Sequence, residues 1–336
     1  MTADPVLVVA WLVLAHLSAD FVLQTSRMVS DKTSTGPRAT RGLLTHGAVV
    51  GLCLLPFAAA FGVRGVLLAI LIAAAHVVID RWKVRATRHA EAVALAEAHR
   101  RHADTEPGAG LGPAWTPMPG ALFLVDQALH LLVTFGAWLV LIAFIPPVGA
   151  FGDAVDRVLG PIDRATFHTA VVVVVVVAAL LIVNVRAAAL FVATLVHPRE
   201  AVTGEPPSDE GVATPERRPW QIRLGPFVAT AEAAPGADAS RVAGPGTSVV
   251  NPRAYASPAR IGATIGVLER LLIATFVLTN ATAAIGFVVG AKTLARFKQL
   301  DDRDFAEYYL LGTLASVAIA FFSAVAADAA LATVGL

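Results

Sequence analysis

Seven stretches of mostly apolar residues, at 5–25, 43–61, 66–84, 122–145, 167–196, 261–290 and 308–333, divide the chain. Each approaches or exceeds the roughly 20 residues that a helix needs to cross a hydrocarbon core about 30 Å thick. The pattern predicts an all-α fold, a polytopic transmembrane helix bundle of about seven spans. Two polar segments interrupt it. Residues 85–120 begin as a charged helix, Arg88 to Arg101, and end among Pro107, Pro113, Pro117 and Pro119, which cannot sustain one. Residues 198–258 are rich in Pro, Gly, Ala, Glu and Arg without helical or strand periodicity, and read as a largely disordered loop. The expected organisation is a four-span core at 1–145, a fifth span at 146–197, that loop, and a two-span C-terminal region at 259–336.

Composition places this pattern in a bilayer. Of 336 residues, 56% are hydrophobic and only 15% charged, too apolar and too long for one ordinary soluble domain. The net charge is +1 and no basic stripe is interleaved with aromatics, which excludes nucleic acid as a partner. The single cysteine, Cys53, lies inside an apolar run, so neither a disulfide framework nor a multi-thiolate zinc site is available. Met1 to Asp4 carry no lysine or arginine and no small-residue cleavage site follows, so the first segment is expected to stay as a span.

Lysine and arginine in short loops are retained on the cytoplasmic side. Arg27, Lys32, Arg38 and Arg41 follow span one, and Arg81, Lys83, Arg85 and Arg88 follow span three, whereas the turn between spans two and three has only Arg64. The N-terminus is therefore expected outside and both basic loops inside, where segments 85–120 and 198–258 are open to cytosolic partners. Seven crossings put Lys292, Arg296 and Lys298 outside, against this rule, unless part of 261–298 lies in the interface or does not cross.

His16, Asp20 and Gln24 stand at i, i+4 and i+8 in span one, on one helical face. Span three carries His76, Asp80 and Lys83 at i, i+4 and i+7; span two opens with His46, and span four with Asp126 and His130. Spans one and three run inward and bear these groups near their ends, while spans two and four run outward and bear theirs near their beginnings. His16, Asp20, His46, His76, Asp80, Asp126 and His130 thus converge on one half of the membrane. The likeness of Ala15-His16-Leu17-Ser18-Ala19-Asp20 to Ala75-His76-Val77-Val78-Ile79-Asp80 hints at a parallel repeat of a two-helix unit.

An aspartate at mid-helix costs roughly 2.5 to 3.5 kcal/mol on insertion scales and calls for a partner. Three readings stay open. The seven groups suit one or two divalent ions, zinc or manganese, that make hydroxide for hydrolysis of a phosphate ester or peptide. In that reading Asp20 and Asp80 are ligands or acid/base groups, and Gln24 and Lys83 orient substrate. Alternatively the same residues relay protons or a transported cation. The third reading is a scaffold in which His–Asp hydrogen bonds clamp helices, each worth about 0.6 to 2 kcal/mol. The one-sided placement counts against transport, whose sites lie near the midplane. Lys83 either neutralises Asp80 or, more simply, snorkels to the headgroups. His89, His99 and His102 read as solvated surface. Glu269 and Arg270, being adjacent, face different neighbours, and Asn184 and Arg186 either reach the headgroups or join the cluster.

His16 to Gln24, Lys32, His46, His76 to Asp80 with Lys83, and Asp126-Gln127 with His130 together resemble the bacterial membrane family of domain of unknown function 3307, over residues 8–135. The C-terminal residues Ile261-Gly262, Leu268-Glu269-Arg270, Ala291-Lys292, Arg296-Phe297 and Glu307 to Thr313 look like longer members of that family. The resemblance implies a multi-pass bacterial inner-membrane protein whose hallmark is these polar positions. It implies no reaction.

Overall fold

The computed structural model describes residues 4–105, 116–160, 162–196, 221–224, 227–230, 258–301 and 303–336. Helix α1 (Pro5–Leu17) starts where Asp4 accepts the Val6 N–H at 2.9 Å and Pro5 occupies the first turn, two features that favour a helix start. It continues as one π-helical turn, Ser18–Val22, in which Leu23 N–H reaches back five residues to the Ser18 carbonyl at 2.8 Å. A short helix α2 (Ser26–Lys32) follows, capped by Thr25 Oγ1.

The second predicted span is bent by 43° between α3 (Gly36–Cys53) and α4 (Leu55–Phe61). The break lies two residues before Pro56, whose nitrogen has no hydrogen to give to the preceding turn. Span three and the charged helix expected at 88–101 form one continuous helix, α5 (Val63–Thr105), 43 residues long. At about 1.5 Å per residue it runs about 65 Å, well past the thickness of a bilayer. Helix α6 (Met118–Leu141) is the fourth span, and α7 (Gly149–Leu159) is a short helix that the apolar pattern does not announce. Helix α8 (Arg164–Ile182), capped by Asp163, passes through a second π-helical turn, Val183–Ala187, into α9 (Ala188–Val196).

The stretch expected to be one span at 261–290 divides. Helix α10 (Pro258–Leu278) ends at a turn in which Asn280 has φ 56°, and α11 (Ala284–Ala295) folds back along it, bringing Lys292 Nζ to 2.6 Å from Glu269 Oε2. Helix α12 (Arg303–Ala332) then runs beside α10 in the same direction, with Ala274 and Val277 packed in one cluster with Ala324 and Ala327. The fold-back returns the chain, with Lys292, Arg296 and Lys298, towards the end where α10 and α12 begin. That removes the charge conflict that seven crossings created.

Among the described residues, five helices are long and apolar enough to cross a membrane, or six if α3 and α4 are one span. With the α10–α11 hairpin they make the all-α polytopic bundle. Large apolar side chains such as Leu52, Ile70, Leu132, Val140 and Phe322 face outward, as a lipid solvent requires. Cys53 packs against the core cluster of α1, α3, α4 and α5. The disorder expected for 198–258 falls mostly outside the described residues; within it Gln221–Leu224 pairs antiparallel with Phe227–Thr230.

Candidate metal centre

All seven sequence-predicted His and Asp groups meet at one end of the bundle. His46 and His76 are 1% exposed and Asp126 is 0% exposed, so bulk water does not reach these groups and their polar atoms need internal partners. His46 Nε2 stands 3.0 Å from His76 Nε2, and both stand 3.2 Å from Asp20 Oδ1. Asp80 Oδ2 lies 3.8 Å from His46 Nε2. The rings continue as a ladder, with His76 and His130 centroids 4.0 Å apart and His130 and His16 5.1 Å apart.

Local structure explains these short separations. Gly47, next to His46, faces Val77, next to His76: a Cβ on Gly47 would lie 2.4 Å from Val77 Cγ2. Glycine at 47 therefore lets α3 and α5 approach until the two imidazoles touch. Gly47→Ala is expected to lower the stability of the detergent-solubilised protein by about 1–3 kcal/mol, a typical cost of overpacking. Adding Val77→Ala should restore the thermal midpoint; failure to do so would show that the close approach is not what Gly47 provides. Gly42 does similar work for α2, since a Cβ there would meet the Lys32 backbone nitrogen at 2.5 Å.

The lysine partners differ from the expectation. Lys83 does not pair with Asp80; its Nζ lies 2.6 Å from Asp126 Oδ2 and 4.9 Å from the centroid of Phe123. Asp80 is instead held by Lys32 at 2.9 Å, a residue that charge counting alone had assigned to orientation. Gln127 is the other group that spacing did not single out. Its Nε2 donates to Asp126 Oδ2 at 3.0 Å, which turns its Oε1 to His16 Nε2 at 3.1 Å. An oxygen acceptor there means His16 Nε2 carries the proton. Both residues sit within the quoted motif, the only sequence signal for them.

Gln24 is also placed differently. The π-helical turn inserts a residue before it and the helix has ended by Leu23, so the i, i+4, i+8 face does not extend to Gln24. Among the described residues its buried Nε2 has no hydrogen-bond partner, and neither do His46 Nδ1, Asp126 Oδ1 and His130 Nε2. Extra residues of this kind occur often at functional sites. The turn also leaves the Phe21 carbonyl, beside Asp20, to accept from Arg186 Nε at 3.0 Å.

Asn184 and Arg186 do not join the cluster. Asn184 is buried, donating to Leu180 O and Ser323 Oγ, and its own carbonyl accepts from Arg270 Nε at 2.6 Å. Arg270 Nη1 reaches Ser316 Oγ at 3.1 Å while Glu269 turns to Lys292. Adjacent residues facing different neighbours is what helical geometry requires. His99 is an exposed helical residue bonded to Leu95 O.

Three groups place one ligand atom from each residue within 4.8 Å of the others: His16, Asp20 and His76; His46, His76 and Asp80; and Asp80, Asp126 and His130. Imidazole and carboxylate in these combinations suit zinc or manganese. Residues 8–148, which contain every one of these side chains, match the family model described as Protein of unknown function (DUF3307). This N-terminal segment is similar to that family. The DUF3307 match ends thirteen residues beyond the 135 expected from the motifs, and the C-terminal resemblance lies outside it. No curated protein and no solved structure matches the chain. Within the DUF3307 segment lie both lysines and Gln127; Arg186, which supports the Asp20 turn, lies outside.

Proposed function

We propose that the protein is a membrane-embedded metal-dependent hydrolase whose ion, zinc or manganese, is held by Asp20, His46 and His76. The observation that carries this reading is the triangle of His46 Nε2, His76 Nε2 and Asp20 Oδ1, with edges of 3.0, 3.2 and 3.2 Å. Hydrogen bonds do not account for all three edges. If both Nε2 atoms carry protons towards Asp20, the 3.0 Å contact sets two N–H groups against each other. If one Nε2 gives its proton to the nitrogen–nitrogen contact, the other must be bare to accept it, and both edges with Asp20 are left without a proton. A cation at the centre satisfies all three at once. Donors about 2.0–2.1 Å from a tetrahedral zinc stand about 3.3–3.4 Å apart, close to the observed edges.

Three protein ligands leave the fourth position for water, the arrangement of catalytic zinc sites. A bound divalent ion supplies hydroxide near neutral pH. Asp80 Oδ2 stands 3.8 Å from His46 Nε2, where its carboxylate would orient the water, and Lys32 Nζ holds it by a 2.9 Å hydrogen bond. His16 lies 4.0 Å from Asp20 Oδ2 and supports Asp20 from behind. The placement at one end of the bundle suits a substrate that arrives at the membrane interface. The basic loops around it support a cytoplasmic placement of that end, and the family resemblance supports a bacterial inner membrane. A reporter fused after Lys298 should read as cytoplasmic, since α11 returns the chain to that end.

The histidine ladder favours a second reading, a proton- or cation-coupled transporter using the same residues, with a purely structural clamp as the third. Metal content separates them. The detergent-purified full chain is expected to hold zinc or manganese in stoichiometric amount. A metal-free protein that binds neither ion on titration overturns the hydrolase reading, and proton flux in liposomes then distinguishes the relay from the clamp.

A further inference from the structure

We infer that the centre is binuclear, with a second divalent cation held by Asp80, Asp126 and His130. This rests on the metal-centre reading above and extends it to side chains that the first ion leaves unused. Asp80, Asp126 and His130 each bring one ligand atom within 4.8 Å of the other two, and the His130 ring lies against that of His76, a ligand of the first ion.

The hydrogen bonds around these residues leave ligand atoms free. His130 Nδ1 lies 2.9 Å from the Asp126 carbonyl, which only accepts, so Nδ1 carries the ring proton. Nε2 is then a bare lone pair, buried and without a partner. A metal-bound histidine usually gives its other ring N–H to a carbonyl or carboxylate, which leaves the ligating nitrogen bare as here. Asp126 shows the same division. Its Oδ2 takes both Lys83 Nζ and Gln127 Nε2, at 2.6 and 3.0 Å, while Oδ1 is buried without a hydrogen bond. Two buried acceptors without a partner among the described residues are costly, and a cation would satisfy both.

Charge indicates the order of filling. Asp20, Asp80 and Asp126 oppose Lys32 and Lys83, which leaves net −1 when the imidazoles are neutral. The first ion is therefore drawn strongly, and the second competes with the Lys83 ammonium. Lys83 is 25% exposed and has room to swing away. Two adjacent divalent ions form a clamp on the attacking and leaving groups of hydrolysis, of phosphate esters and of peptides alike.

The test loads the full-length protein in detergent with manganese and measures ions per chain together with the electron paramagnetic resonance spectrum. Expected are two manganese ions per chain and an exchange-coupled multiline spectrum. Asp126→Asn and His130→Ala should each retain one ion with an isolated six-line spectrum, and Lys83→Met should bind the second ion more tightly. One ion per chain with a six-line spectrum in the unaltered protein overturns the binuclear centre and leaves the single-ion reading standing. No bound ion overturns both. The spectrum of the unaltered protein decides the matter even if a variant fails to fold.

Discussion

His76→Ala is expected to abolish metal binding, reducing affinity by at least about 100-fold. His76 Nε2 touches both His46 Nε2 and Asp20 Oδ1, so its removal opens two edges of the triangle and leaves two donors for the ion. Outer hydrogen-bond partners of metal ligands typically cost 10–100-fold when lost, and a ligand costs no less. His16→Ala supplies the comparison, because His16 Nε2 gives its proton to Gln127 and supports Asp20 rather than facing the ion. Its loss should weaken binding by about 10-fold to 100-fold. Equal affinities for the His76→Ala and unaltered proteins, measured by competition with a zinc chelator, would refute the ligand assignment. A greater loss in His16→Ala than in His76→Ala would exchange their roles.

Lys83→Met is expected to destabilise the metal-free protein by about 3 kcal/mol, at the lower end of the range for breaking a buried ion pair. Asp126 is fully buried, and without Lys83 its charge keeps the Gln127 hydrogen bond and the neighbouring His130 Nδ1, 3.6 Å from Oδ1, but no cation among the described residues. The lower end applies because Lys83 itself reaches solvent. Asp126→Asn in the same chain removes the stranded charge, so the double variant should recover most of the loss. Thermal midpoints in detergent check this. Additive losses in the double variant would show that the 2.6 Å contact contributes nothing as a pair.

How the sequence conveyed this site is visible in particular residues. His16 and Asp20 in span one, His76 and Asp80 in span three, and the early positions of His46, Asp126 and His130 sufficed to place all seven at one end. Only chain direction and helical rise enter that deduction, and both are local. The lysines were not legible in the same way. Lys83 follows Asp80 by three residues and yet reaches across to Asp126, while Lys32 reaches Asp80 from α2. Both choices depend on how α2, α5 and α6 are rotated and offset by a few ångströms, which spacing within one helix does not contain. Gln24 was misplaced because one π-helical turn shifted its register by a residue. The 261–290 stretch read as one span because its break, at Asn280, interrupts hydropathy only briefly.

The sequence by itself determined that the chain is an all-α membrane bundle and that its costly polar groups share one end. Burial of apolar stretches about 20 residues long admits little else. Tertiary structure alone decided that His46, His76 and Asp20 form a triangle small enough for one ion, and that Asp126 and His130 keep unsatisfied atoms beside it. Those separations are set by the approach of α3 to α5 at Gly47 and by the π-helical turn at Asp20. Both arise from packing between segments far apart in the chain, where a shift of an ångström separates a metal centre from a set of clamps.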